Sequence, residues 1–230
     1  AAVGCQTDIQ DHIDALGPKV TPLLKRLPEI RDKAISAPPL TVAQGTPPPG
    51  GWSTPGGDGM VYLEDLADPK ELGNVPHRLG DTMWVSRCAA VMTTHREPYE
   101  ASKHGIAQPF QVFESEAKEI LEKCARISRL FVIKTIAYAA PSPPRSFFRP
   151  VGSSVSADVQ QVFDGGYMRA DVLVFDVASG NLLGGFPIQA ESGTESFKCT
   201  LYERGVDREC NRQIGARLQW AIDAAIDRGK

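Results

Sequence analysis

The closest approach to a reactive constellation in this chain of 230 residues is the segment 94–105, THREPYEASKHG. His95, Glu97, Glu100 and His104 supply imidazole and carboxylate, the ligand types that suit zinc or a similar cation in a metal-assisted hydrolase. Pro98 breaks the helical placement that would set them on one face, and interspersed charges equally describe a solvated loop. Other signatures are missing from the sequence. Gly51-Trp52-Ser53-Thr54-Pro55 fails the nucleophile-elbow pattern at its last position, and there is no P-loop, dinucleotide-binding turn or His-Glu-x-x-His helix. The residues give no ground for assigning a catalytic residue, a metal ligand or a cofactor, and the chain reads as non-enzymatic.

The cysteines carry a different chemistry. Cys5 stands alone near the N-terminus, and Cys88, Cys124, Cys199 and Cys210 form an even set with no Cys-x-x-Cys spacing. Four separated cysteines fit two disulfides in an oxidising compartment; four buried thiols in a cytosolic protein is the competing reading. Cys199–Cys210 closes a short loop and is the first choice, which leaves Cys88–Cys124. Loop closure would make the two bridges worth about 3 and 4 kcal/mol. The preceding residues bear on the compartment. Ala2-Val3-Gly4-Cys5 resembles the lipobox of bacterial lipoproteins, with Ala2 in place of the usual leucine. That resemblance implies acylation of Cys5, a lipid anchor, and a place at the cell envelope on the periplasmic side of the outer membrane or the cell surface. A secreted chain with an odd thiol is the alternative.

A partner surface is expected in the loop 141–150, PSPPRSFFRP. Its prolines limit the freedom lost on ordering. Arg145, Phe147, Phe148 and Arg149 combine residue types enriched at interface hot spots. The bland reading tucks both phenylalanines under the loop as a plug for the core.

These residues must be positioned by a scaffold that the hydrophobic pattern outlines. Residues 167–191 read as a hairpin. Arg169–Val177 is apolar on both faces, so it predicts a central strand covered on both sides. Gly180 closes the turn, and Gly184-Gly185 in the return strand 182–190 predicts a bulge or a close backbone approach. Strands are also expected at 60–66, 130–139 and 158–163, and helices at 112–128 and 208–227, with Asp207 as the cap of the latter. Residues 81–94 are ambiguous between helix and strand. Near the N-terminus, Ile9, Ile13, Leu16, Val20, Leu23, Leu27, Ile30 and Ala34 follow a 4-3-4-3 seam. Pro18, Pro22 and Pro28 argue for two short helices laid on another surface, in this chain or in a partner.

Half of the residues 36–59 are proline or glycine, a linker composition with Trp52 as its one possible anchor. The expected organisation is therefore an anchor and helical arm over 1–35, a linker over 36–59, and a globular domain over 60–230. Its class is α+β, with one central, mostly antiparallel sheet and helices packed on it. The phrase Asp176-x-x-x-Gly180-Asn181-Leu182-Leu183 is similar to a hairpin of small α/β domains in outer-membrane lipoproteins, which implies compartment and fold class only. A net charge of −3 supplies no general field for nucleic acid. The leading expectation is a non-catalytic envelope lipoprotein serving as a structural or accessory subunit beside other envelope proteins. The runner-up is a periplasmic domain that binds a ligand or polysaccharide in a groove lined by aromatics such as Trp84, Tyr138 or Tyr167.

Overall fold

A computed structural model describes residues 4–47, 51–52, 57–66, 88, 91–92, 114–141, 158–162, 165–193, 196–202, 205–206 and 208–230. At 4–9, 114–115, 158–162, 196–202, 205–206 and 208–214 the description is of backbone alone. The elements in chain order are α1 (Gly4–Ser36), β1 (Asp58–Tyr62), α2 (Glu114–Cys124), β2 (Arg129–Ala139), β3 (Asp158–Val162), β4 (Tyr167–Asp176), β5 (Leu182–Glu191), β6 (Ser196–Tyr202), β7 (Gly205–Val206) and α3 (Arg208–Gly229). A single 3-10 turn, Leu63–Asp65, follows β1. The class is α+β.

The main sheet has the order β1-β2-β4-β5, with β1 parallel to β2 and the other pairs antiparallel. A smaller sheet, β3-β6-β7, takes up the strand at 158–162 and the segment after the hairpin. The run 169–177 is central as its pattern demanded. Met168, Ala170, Val172, Leu173, Val174 and Phe175 are all buried, because a helix covers each face. On one face Asp171, Leu173 and Phe175 meet the end of α1 and the segment after it. On the other, Tyr62, Phe131 and Phe186 meet α3, whose last glycine stands against the Phe186 ring. Leu218, Ile222, Ala225 and Ile226 are the buried stripe of α3, while Trp220 lies off that arc and is 67% exposed.

Gly184 explains the expected close approach. Its φ is 154°, and a Cβ there would strike the Gln44 carbonyl and the Trp52 ring. The register slips beside it, between Val174 and Phe175. Gly185 then exchanges backbone hydrogen bonds of 2.8 and 2.9 Å with Gln44.

The N-terminal region differs from expectation in two ways. α1 is one helix of 33 residues with Pro18, Pro22 and Pro28 inside it, where two short helices were expected. All three prolines are exposed, so their rings stand outside the core, and of the residues four positions earlier whose carbonyls lose a helical donor, Asp14 and Pro18 are exposed and Leu24 is half-buried. The helix also docks on its own chain. Leu23, Ile30 and Ala34 join the main core, and Ile13 and Val20 join a second one. Burial of side chains of this size contributes roughly 1.5–3 kcal/mol each for the larger ones, enough to carry the helix through its prolines.

In its described residues, 36–47, 51–52 and 57–59, the stretch read as a linker is a strap. Leu40 packs on the main core, Trp52 is only 3% exposed, and the Trp52 N–H donates to the Lys230 carbonyl at 2.7 Å. Composition predicted freedom there; specific partners for its backbone polar groups remove it.

The helix at 114–124 was expected on the central sheet, but it packs on α1. At 1.5 Å per residue α1 spans roughly 50 Å, whereas a strand of β4's length spans roughly 33 Å. The N-terminal half of α1 thus overhangs the sheet. Ala117, Ile120, Leu121 and Cys124 cover it there, together with the helical residues Cys88, Val91 and Met92.

Candidate functional site

Two of the α1 prolines line a surface furrow. Pro18 and Pro22 carry no N–H, so neither Asp14 O nor Pro18 O receives its usual donor four residues on. Thr21 donates its hydroxyl to Gly17 O at 2.7 Å, a local bond that tends to bend a helix. Gly17 is buried, and its missing side chain admits the Met92 methyl, 3.1 Å from where a Cβ would stand. The result is an open furrow of about 520 Å³ lined by Pro18, Thr21, Pro22, Lys25, Arg26, Val177 and Ala178. A second hollow of about 250 Å³ shares Pro18 and Thr21 and continues past Ile13, Gly17 and Met92.

The furrow has a fixed wall. Arg26 forms an ion pair with Glu29 at 2.7 Å and donates to Ala178 O at 3.2 Å, which ties α1 to the β4–β5 turn. Lys33 donates to Glu29 at 2.8 Å and to Gly180 O at 2.6 Å. Lys33 first, and then Arg26, hold the Glu29 carboxyl below the ordinary range through hydrogen bonds. The turn itself is closed by Asp176, which accepts from the Ser179 N–H at 2.7 Å and its hydroxyl at 2.5 Å. Gly180 supplies the left-handed residue, with φ of 67°. What the furrow offers a ligand is an apolar floor, backbone acceptors without helical donors, and the positive charge of Lys25 and Arg26.

The most chemical-looking pair in the main core has a different use. Asp171 is 2% exposed and sits opposite Lys134 in the β2–β4 register. Its carboxylate accepts the Leu40 N–H at 3.0 Å, while Lys134 donates to Ile35 O at 3.0 Å and to Ala37 O at 2.6 Å. Burial raises Asp171 and lowers Lys134, and each charge opposes the shift of the other. The bonds named go to the last turn of α1 at Ile35 and to the backbone just after it at Ala37 and Leu40, so the pair clasps the helix end and the start of the strap.

The sequence-derived candidates fall unevenly. The sulfurs of Cys88 and Cys124 are at bonding distance with their Cα atoms 6.1 Å apart, a disulfide that ties the segment around Cys88 to α2. Cys5, Cys199 and Cys210 lie in α1, β6 and α3, with side chains outside the described residues, as therefore is the expected Cys199–Cys210 bridge. Arg145, Phe147, Phe148 and Arg149 lie outside the described residues altogether, as do His95, Glu97, Glu100, His104, Trp84 and Asp207. Among the described residues no three acidic, histidine or cysteine side chains gather as metal ligands. No described helix is long and apolar enough to cross a membrane.

Tyr138 and Tyr167 do not share a wall. Tyr138 pairs directly with Met168 and so points to that residue's face, while Tyr167, one position away, points to the other. Sequence reasoning missed the furrow and the Asp171–Lys134 clasp. A signal existed for each: the proline spacing of four in α1, and single charges within the apolar runs of β2 and β4.

No protein-family model, curated protein or solved structure matches this chain.

Proposed function

We propose that the protein is a non-catalytic cell-envelope subunit, anchored through lipid on Cys5, whose α1 furrow holds an extended segment of another envelope protein. The observation that carries this reading is the furrow between Pro18–Arg26 and the β4–β5 turn. Its open acceptors call for backbone N–H donors, which an extended chain presents and a folded helix does not. Lys25 and Arg26 favour a segment with acidic residues. The Cys88–Cys124 disulfide and the lipobox-like Ala2-Val3-Gly4-Cys5 support the envelope as its place. The division of Tyr138 and Tyr167 between opposite faces weakens the alternative of an aromatic-lined polysaccharide groove.

The test is photo-crosslinking in native cells from probes placed at Thr21 and Ala178, with Trp220 as a distant exposed control. A discrete adduct from the first two sites, absent at the third and reduced by Lys25→Glu, is expected. Identical adducts at all three sites, or none, would sink the docking role. The anchor is tested separately by mass spectrometry of the peptide carrying Cys5. A diacyl or triacyl increment is expected, and an unmodified thiol removes that part of the reading.

A further inference from the structure

The furrow does not end at Thr21. The second hollow shares Pro18 and Thr21 with it and runs on past Gly17 and Asp14 toward the N-terminal part of α1. Positions 14, 18, 21 and 25 are four, three and four residues apart, so they form one stripe on a single face of the helix. The two hollows are one trench along α1, and its lining changes from end to end.

The ends carry opposite charge. Lys25 lines one end and Asp14 the other, and both are exposed. Arg26 is already held by Glu29 at 2.7 Å and by the Ala178 carbonyl at 3.2 Å, so Lys25 is the lining cation available to a ligand. Asp14 accepts from Gln10 Nε2 at 2.7 Å, a bond that occupies Oδ1 alone. Between the ends the wall is apolar and adaptable. The Met92 methyl enters the space left by Gly17, 3.1 Å from where a Cβ would stand, and Ile13 lies beside it. A thioether chain with three rotatable bonds can give way to an incoming side chain. Cys88, four residues earlier, is tied to α2 through Cys124, which holds the backbone of that wall.

Length sets the register. From Asp14 to Lys25 the helix rises roughly 16 Å, at about 1.5 Å per residue, a span that about five residues of extended chain cover. We infer that the trench selects an extended segment of a partner protein in which an acidic and a basic residue about five positions apart flank a large apolar one. The inference rests on the furrow being a docking site and names what that site prefers. The acidic side chain meets Lys25, the basic one meets Asp14, and the apolar one enters the hollow against Met92 and Gly17. Exposed ion pairs add little affinity, so the two charges set register and reject wrong segments, while the apolar side chain supplies the hold.

The experiment is panning of a random nonapeptide phage library on the intact protein, followed by carbon-13 methyl NMR of the methionine-labelled protein with the most enriched peptide. Enriched peptides should carry the acidic, apolar and basic residues at the stated spacing, and the Met92 methyl signal should shift saturably as that peptide is added. Asp14→Lys should abolish the basic preference, keep the acidic one and weaken the peptide about tenfold. Lys25→Glu should do the reverse, and Asp14→Asn serves should the charge reversal fail to fold. Asp227→Lys, at an exposed position on α3, should leave the preference unchanged. No enrichment, enrichment without the pattern, a pattern that survives both reversals, or an unmoved Met92 methyl would each overturn the inference. If crosslinks from Thr21 and Ala178 still form in native cells under any of those outcomes, the docking role stands and only its selectivity falls. Loss of those crosslinks as well removes both.

Discussion

Asp171 shows how little a residue type says until its neighbours are known. A carboxylate inside an apolar strand is an expensive choice, and here Lys134 from the next strand and the Leu40 N–H offset the cost. Replacing Asp171 with alanine leaves an amide and a part-buried ammonium without that partner. The expected loss is about 2–4 kcal/mol in urea unfolding, with a smaller loss when Lys134→Met is added to the same chain. Asp176 gives a pH signature. The Ser179 hydroxyl, then the Ser179 N–H, hold its carboxyl below the ordinary range. A lowered folded value means that stability is present above the unfolded-state pKa and is lost as pH falls through the folded one. Asp176→Asn should therefore flatten the acid limb of stability against pH below the ordinary Asp range while leaving the neutral plateau lower. A limb as steep as the parent's would show that the turn does not contribute.

Among the elements, α1 departs furthest from its local signals. Three prolines argue for a break, yet Ile13, Val20, Leu23, Ile30 and Ala34 all find buried places on one continuous helix. The prolines are exposed and displace nothing from the core, and two of the three residues whose carbonyls lose a donor, Asp14 and Pro18, are exposed as well. Pro22→Ala would return a donor to Pro18 O. It should raise stability by about 1–3 kcal/mol in chemical denaturation, and it should weaken the crosslink from Thr21 by closing the acceptor. Raised stability with an unchanged crosslink would separate the furrow's shape from its hydrogen-bonding role.

For the whole molecule, the Cys88–Cys124 bridge governs the second core. It closes a separation of 36 residues, which the loop-entropy relation converts to about 4 kcal/mol if unstrained. Reduction should lower stability by about 2–4 kcal/mol. Amides in the N-terminal half of α1 and in α2 should exchange before those of β2 and β4. Uniform loss of protection would instead mean that the two cores open as one. The sequence by itself determined what depends on neighbours along the chain. The run 169–177 announced a central strand because both of its faces are apolar. The 4-3-4-3 seam announced α1's buried side, and the glycines announced the turn and the close approach at Gly184. Tertiary structure alone decided which distant segments satisfy one another. It put α2 on the overhang of α1 and turned a Pro/Gly-rich stretch into a strap held by Lys134 and Asp171. Those outcomes rest on strand register and on helix length measured against the sheet. Neither is a property of any short window of residues.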